Sequence, residues 1–184
     1  GHPGSLKREN WQIEVSGSCE KPGIFTWESL LALPQKEVKG RLTSVTRWSV
    51  EGFWQGIPLS EILQAVAVKE NCRYIRFWSI NKIYDTSIPI EIANKEKSLL
   101  AYSFDGELLT EDYGGPIRAF IPYLWGYKSA KSVVAIELMD YYVPGFWEKR
   151  GYTDSGEIEA GPCRDLNDGG KLKYIPDGEV LKFN

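Results

Sequence analysis

The stretch Arg41-Leu42-Thr43-Ser44-Val45-Thr46-Arg47-Trp48-Ser49, running into Gly52-Phe53-Trp54-Gln55-Gly56-Ile57-Pro58-Leu59, organises the reading of the whole chain. It reads as the start of a strand. Side chains alternate at period two, so Leu42, Ser44, Thr46 and Trp48 share one face and Thr43, Val45 and Arg47 the other. A small hydroxyl, Ser44, then stands on a sheet face beside Thr46 and Trp48, either as packing or as the floor of a site. Arg41 and Arg47 flank it, and such cations suit an anion nearby. Gly52 and Gly56-Ile57-Pro58 read as turns around Trp54. Ser60 is then the expected cap of a helix from Glu61 to about Val68, with Leu59, Ile62, Leu63 and Val66 as its apolar stripe.

Outward from that stretch, short strands and few helices follow without regular alternation. Asn10 to Ser16 alternates as a strand ended by Gly17, and Thr26 caps a short helix, Trp27 to Leu33, that Pro34 stops. Arg73 to Ser79 is a strand; Ile83 to Thr86 and Ile88 to Ile92 continue a sheet, with Pro89 marking an edge. Ser98 to Phe104 and Glu107 to Thr110 form a hairpin about Asp105-Gly106. Ala119 to Tyr123 and Ser132 to Tyr142 are further strands, and the polar stretch after Gly145 is anchored by Trp147 and Tyr152. This pattern predicts an α+β fold in one domain, residues 10–184, preceded by a tag remnant and trimmed start over 1–9.

Composition narrows the function classes. At 184 residues with 42% hydrophobic content the chain can bury a sizeable core. A net charge of −3 without a basic run argues against a nucleic-acid partner. No apolar run reaches the length of a membrane span. The opening Gly1-His2-Pro3-Gly4-Ser5 resembles a cloning remnant, so a removed leader and a periplasmic or other extracytoplasmic location stay open. Cys19, Cys72 and Cys163 are far apart and form no Cys-x-x-Cys pair, which excludes a structural zinc site and predicts three separate thiols, one disulfide being the alternative. His2 is the single histidine, so no histidine triad is expected unless it folds back.

Several segments carry candidate chemistry. Tyr113-Gly114-Gly115-Pro116-Ile117-Arg118 puts a Gly-Gly loop, through which backbone N–H groups can approach a ligand, directly before a cation. Gly126-Tyr127-Lys128-Ser129-Ala130-Lys131 repeats the theme with a hydroxyl and two lysines, suited to a phosphate, although its spacing matches neither the P-loop nor the dinucleotide fingerprint. Asp165-Leu166-Asn167-Asp168-Gly169-Gly170 fails the calcium-loop pattern, with Pro176 where the twelfth-position Glu belongs, and reads as a solvated turn. Glu157 and Glu159 read as solvated carboxylates. Trp48, Trp54, Trp78, Trp125 and Trp147 offer a sugar-stacking surface only if exposed; most are expected in the core.

Taken in order, these segments resemble the molybdopterin-binding domain of the sulfite oxidase family, and most closely its small bacterial members related to the catalytic subunit of the periplasmic methionine sulfoxide reductase. The resemblance runs from about Trp11 to Tyr152. Its carriers are Val45-Thr46-Arg47-Trp48-Ser49 with Trp54 to Leu59, Leu100-Ala101-Tyr102 with Asp105-Gly106, Gly114 to Arg118 with Pro122, Gly126 to Ser132, and Gly145-Phe146-Trp147 with Gly151-Tyr152. It implies a molybdenum–molybdopterin cofactor among mixed strands. Ser79 falls at a cofactor-contacting Thr/Ser position, Arg118 on the Arg after Gly-x-Pro-x, and Ser129, Ala130 and Lys131 on the stretch that holds the phosphate end. Ser44 falls where relatives carry the molybdenum-ligating Cys, and a hydroxyl is a poorer metal donor than a thiolate. Tyr113, at a cofactor-contacting position, stands where relatives have Asn or His, and no counterpart of their upstream Asn- or His-bearing segment is expected before Trp11.

The resemblance implies an oxidoreductase moving an oxygen atom to or from a small oxyanion or sulfoxide, with Ser44 at the metal position and Arg47, or Arg41, drawing an anionic substrate. Electrons would come from a separate haem or electron-transfer protein, since the chain has no haem-attachment motif. The alternative is a non-catalytic module binding a pterin, another anion or a protein on the same fold.

Overall fold

Two sheets share one apolar interior. The computed structural model describes residues 7–176. The elements in chain order are β1 (Gln12–Gly17), β2 (Gly23–Thr26), α1 (Trp27–Leu31), β3 (Lys36–Thr43), β4 (Trp48–Pro58), α2 (Leu59–Ala65), β5 (Tyr74–Ser79), β6 (Asp85–Pro89), α3 (Ile90–Ala93), β7 (Leu99–Phe104), β8 (Glu107–Leu108), β9 (Arg118–Phe120), β10 (Val133–Met139), β11 (Gly161–Asp165) and β12 (Lys171–Ile175). The first sheet runs β2-β1-β10-β5-β6, and the second β12-β11-β4-β7-β8 with β3 on β4 and β9 on β7. Pairing is mixed: β1 lies parallel to β10 and β11 parallel to β4, the remainder being antiparallel. The α+β expectation is met, and among the described residues no helix is long and apolar enough to cross a membrane.

Alternation explains why both faces of the second sheet are apolar. Leu100 and Ala119 join the main core with Ile13, Phe77 and Ile136 of the first sheet, while Leu99, Ala101 and Phe120 turn to a second cluster with Val38 and Trp54. A strand buried on both faces reads as a continuous apolar run, as Leu99-Leu100-Ala101 does. α2 closes one side of the main core through Leu59, Ile62, Leu63 and Val66. Trp54 stacks on Phe120, ring centroids 4.4 Å apart, and its indole N–H donates to the Gly40 carbonyl.

Several boundaries differ from the sequence expectation for physical reasons. The strand through Ser44 is not continuous: β3 ends at Thr43, and Ser44 to Arg47 make a tight turn into β4. The turn closes with Arg47 N–H on the Ser44 carbonyl at 2.9 Å and needs a left-handed Arg47, φ 64°. Gly52 and Gly56 are not turns but lie inside the unbroken β4, where a Cβ on Gly56 would come within 2.1 Å of the Leu100 carbonyl oxygen. They are glycines of close approach. Pro58, not Ser60, precedes the first residue of α2. β6 is an edge strand as expected, yet it stops at Pro89, and Ile90–Ala93 form one helical turn instead of more strand. The three cysteines are free and buried, and burial pushes the Cys19 and Cys72 thiols above their ordinary pKa. His2, with the other residues of 1–6, lies outside the described residues.

The close approach at Gly56 predicts that Gly56→Ala lowers stability by at least about 2 kcal/mol, the usual range for forcing atoms into a packed interior. Gly23→Ala, where a Cβ meets nothing within 4 Å, serves as the control and should change little. Urea titrations read both: the Gly56 midpoint falls at unchanged slope while the Gly23 midpoint stays.

Candidate functional site

Two adjoining cavities of about 340 and 290 Å³ open where the β3–β4 turn, the loop before β9 and the segment after β9 meet. Arg118, Gly126 and Lys131 belong to the walls of both. The first cavity is completed by Leu42, Ser44, Trp48, Ser49, Val50, Asp112, Tyr113 and Leu166, and the second by Ser79, Tyr84, Tyr127, Ser129 and Trp147.

Arg118 is the central group. It is only 3% exposed and begins the three-residue strand β9 in the middle of an apolar run. Its Nη1 donates to the Tyr113 carbonyl at 2.7 Å, Nη2 to the Ser129 carbonyl at 3.0 Å and Nε to the Ala119 carbonyl at 3.3 Å. The face of Trp54 lies 5.7 Å away. No carboxylate pairs with it among the described residues. Burial draws its pKa down to about 10, so it remains a cation at neutral pH. A guanidinium has five N–H donors, so Nη1 and Nη2 each retain one. A buried cation facing two cavities without a counter-ion suits an anionic ligand, because uncompensated charge away from water is costly.

Lys131 stands beside it. Burial, and next the Arg118 charge, hold its ammonium below the usual lysine pKa, and its Nζ donates to the Asp112 carbonyl. Ser79 Oγ donates to the Lys131 carbonyl at 2.6 Å, and Ser129 Oγ accepts the Ile121 N–H at 2.9 Å. Ala130 is buried behind them with its carbonyl accepting from Ala119. Of the sequence candidates, Ser44, Ser79, Tyr113, Arg118, Ser129 and Lys131 therefore gather on the cavity walls. Arg47 does not join them: Nη1 donates to the Glu159 carbonyl, and the guanidinium lies over Trp125. Arg41 is held by Asp165 at 3.3 Å and the Ser49 hydroxyl at 3.0 Å.

Three local readings change. The Gly114 and Gly115 N–H groups are already bonded to the Glu111 and Thr110 carbonyls, so this loop offers no amide cradle. Its glycines are needed because side chains there would strike Lys131 and the Leu109 carbonyl. Lys128 is not a phosphate ligand. Its ammonium and the Glu148 carboxylate are both fully buried, 2.5 Å apart, with Thr86 Oγ1 donating to the same Oε1. This pair ties the Gly126–Lys128 turn to the segment bearing Trp147, two walls of the second cavity. Finally, Asp165 is not a solvated turn residue: it is buried, accepts the Asn167 N–H, and pairs with Arg41 and Lys173. No group of three or more His, Cys, Asp or Glu arranged for a metal occurs among the described residues.

The tryptophans also divide differently from expectation. Trp54 and Trp125 are core, whereas Trp48 and Trp147 are 42% and 37% exposed and line the two cavities. Tyr84 was not legible as a site residue. Its hydroxyl donates to the Tyr127 carbonyl, and burial, then Glu148, drive its pKa well above the ordinary phenol value. Its lone place before β6 carries no motif.

A mixed-sheet domain whose buried arginine and neighbouring lysine join two cavities has the form of an anionic-cofactor scaffold. Comparison with known proteins agrees, and the chain belongs to the oxidoreductase molybdopterin-binding domain family, whose model matches residues 1–147. It is 34% identical to the uncharacterized oxidoreductase YuiH of Bacillus subtilis (strain 168), over 80% of this chain and 74% of that protein. It is 32% identical to the protein-methionine-sulfoxide reductase catalytic subunit MsrP of Xanthomonas campestris pv. campestris, over 78% of this chain and 49% of that one. The sulfane dehydrogenase SoxCD from Paracoccus pantotrophus has the same fold, with a TM-score of 0.74 at 20% identity, over 95% of this chain and 46% of that chain. The chain thus spans about half the length of these last two. The sulfite-oxidase-type fold expected from the sequence is borne out.

The Lys128–Glu148 pair predicts a large asymmetry. Glu148→Ala strands a buried ammonium and should cost about 3–5 kcal/mol, whereas the double change Lys128→Met with Glu148→Leu should recover most of that loss. Chemical denaturation of the two variants beside the parent reads the difference.

Proposed function

We propose that this domain binds a molybdopterin cofactor with its phosphate at Arg118 and Lys131, and that its reaction is oxygen-atom transfer involving a neutral sulfoxide. The carrying observation is the Arg118 guanidinium, buried, bonded only to carbonyls, and facing both cavities. The phosphate end fits: two cations and the hydroxyls of Ser79 and Ser129 surround the second cavity. At the metal end the first cavity offers Ser44, an oxygen donor. Such a cofactor, when bound, supplies a two-electron redox centre for oxygen-atom transfer. Arg118 and Lys131 would hold and neutralise the phosphate, Ser79 fixes the Lys131 backbone, and Tyr113 and Trp48 give the first cavity aromatic walls.

A neutral substrate is favoured over an oxyanion by the fate of the other cations. Arg41 is paired with Asp165 and Arg47 engages Glu159, so neither is offered to a substrate anion. The remaining walls of the first cavity are largely apolar, with Leu42, Trp48, Val50, Tyr113 and Leu166. Apolar walls with few polar groups suit a thioether or sulfoxide. The name of the Xanthomonas relative, a protein-methionine-sulfoxide reductase subunit, supports that class. Electrons would pass to or from a separate redox protein.

A non-catalytic pterin- or anion-binding module is the second reading, and one observation favours it. Ser44 Oγ lies 2.8 Å from Thr46 Oγ1 and accepts the Thr46 N–H at 3.2 Å, so the hydroxyl at the metal position already serves its own turn.

Protein isolated from a host that makes the cofactor separates these readings. Extracted pterin fluorescence near one equivalent per chain is expected, falling at least fivefold in Arg118→Lys and in Lys131→Ala. Protein without pterin would overturn the cofactor assignment. Elemental analysis then addresses position 44. Ser44→Cys should raise molybdenum retention severalfold and bring sulfoxide reduction with it, since a thiolate is the better soft-metal donor. Pterin retained in both proteins, with no gain of metal in Ser44→Cys, would select the non-catalytic module.

A further inference from the structure

A third cavity, about 350 Å³, lies outside the site just described and shares a single wall residue with it, Tyr113. Its floor is Phe104 and Leu109, its rim Asp105, Glu107 and Leu108. The Phe104 and Tyr113 rings stack with centroids 6.1 Å apart, so one aromatic layer separates this groove from the Ser44 cavity. Leu108 and Tyr113 are 52% and 44% exposed, large apolar groups on a rim of short strand and loop.

The segment that forms the groove carries charge of one sign, and two of its carboxylates, Asp105 and Glu107, line the groove itself. Between Lys97 and Arg118 the chain carries four carboxylates, Asp105, Glu107, Glu111 and Asp112, and no Lys, Arg or His. That segment alone is formally −4 against −3 for the whole chain. Glu107 is exposed and makes no side-chain hydrogen bond or ion pair among the described residues, while Asp105 accepts the Phe53 N–H at 2.8 Å and forms no ion pair. The two cations Arg118 and Lys131 line the cavities beyond Tyr113, with Asp112 on the wall of the first, whereas the only charged groups lining this groove are Asp105 and Glu107.

We propose that this acidic, apolar-floored groove is the docking surface for a protein partner presenting lysines or arginines around an exposed apolar patch, a basic redox protein in particular. The redox role rests on the proposed function; the docking chemistry does not. An oxygen-atom transfer centre must exchange electrons with a partner that comes close to it, and this groove reaches the first cavity through Tyr113 alone. Carboxylates at a rim steer a basic protein and set its orientation, while the apolar floor holds it. A small oxyanion would be repelled by the same rim, in keeping with a neutral substrate.

The test reads binding and needs no cofactor, so failure of cofactor loading leaves it intact. The ¹⁵N-labelled full chain is titrated with cytochrome c, a basic protein whose haem edge is ringed by lysines, at an ionic strength of about 20 mM, where screening is weak. Expected are amide shifts concentrated on residues 103–113, binding about tenfold weaker in Glu107→Lys and in Leu108→Ser, and loss of binding at about 0.3 M salt. Both side chains are exposed, so unchanged melting temperatures confirm that the variants fold. Absence of binding at low salt, shifts centred elsewhere, affinity unmoved by Glu107→Lys, or equal binding of the acidic cytochrome b5 would each overturn the proposal.

Discussion

A desolvated guanidinium, Arg118, is the constraint that the architecture of the site answers to. Removing a cation from water is tolerable only if its donors are met, and here three carbonyls from three separate segments meet them. Those carbonyls belong to the loop before β9, to β9 itself and to the segment after the Gly126–Lys128 turn. One side chain therefore fixes the relative placement of the elements that wall both cavities. Carbonyls satisfy the hydrogen bonds without cancelling the charge, which is what leaves the site electropositive. A carboxylate in the same place would have stabilised the arginine and cancelled the charge it presents to the two cavities.

The Lys128–Glu148 pair does the opposite work a short distance along the chain. It is a closed, fully buried pair in which charge is cancelled, and it binds the neighbouring turn to the segment carrying Trp147. Glu148 Oε2 has no partner, so the pair is not fully satisfied. Buried pairs of this kind contribute little net stability but penalise any arrangement that separates them. Two lysines three residues apart in sequence thus have unrelated physics: Lys128 locks a wall and Lys131 faces the cavity.

That division explains how much of the molecule was legible in the sequence. Strands with alternating patterns, the Thr26 cap and the Asp105-Gly106 turn are local features, and they appear where expected because local sterics and hydrogen bonds set them. The order of loose motifs was enough to indicate the family and its cofactor scaffold. What a one-dimensional reading could not supply was partner identity. Nothing near Lys128 announces Glu148, twenty residues on, and nothing near Arg41 announces Asp165, far beyond it. Glycines misled for the same reason. Gly52, Gly56 and Gly114 look like turn or ligand glycines in isolation, yet each is required by a neighbour from a distant segment that leaves no room for a Cβ, and Gly115 is crowded in the same way by the Leu109 carbonyl of its own loop. Tyr84, drawn to the Tyr127 carbonyl, belongs to the same class of information.

Position 44 brings these strands together. Beyond its backbone bonds to Arg47 and Trp48, Ser44 gives the β3–β4 turn two side-chain contacts, both to Thr46, and a hydroxyl is a good acceptor for them. A thiol is a weak acceptor and would leave the Thr46 N–H and hydroxyl poorly met, but it would also be free to face the first cavity as a thiolate. Serine at this place therefore favours the turn, and cysteine favours a soft metal. The two roles compete for one side chain, and the competition is local, since Arg41 and Arg47 are anchored to other partners whichever residue stands between them. Exchange at position 44 thus changes the chemistry of the cavity wall while leaving the buried Arg118 cation in its carbonyl cage.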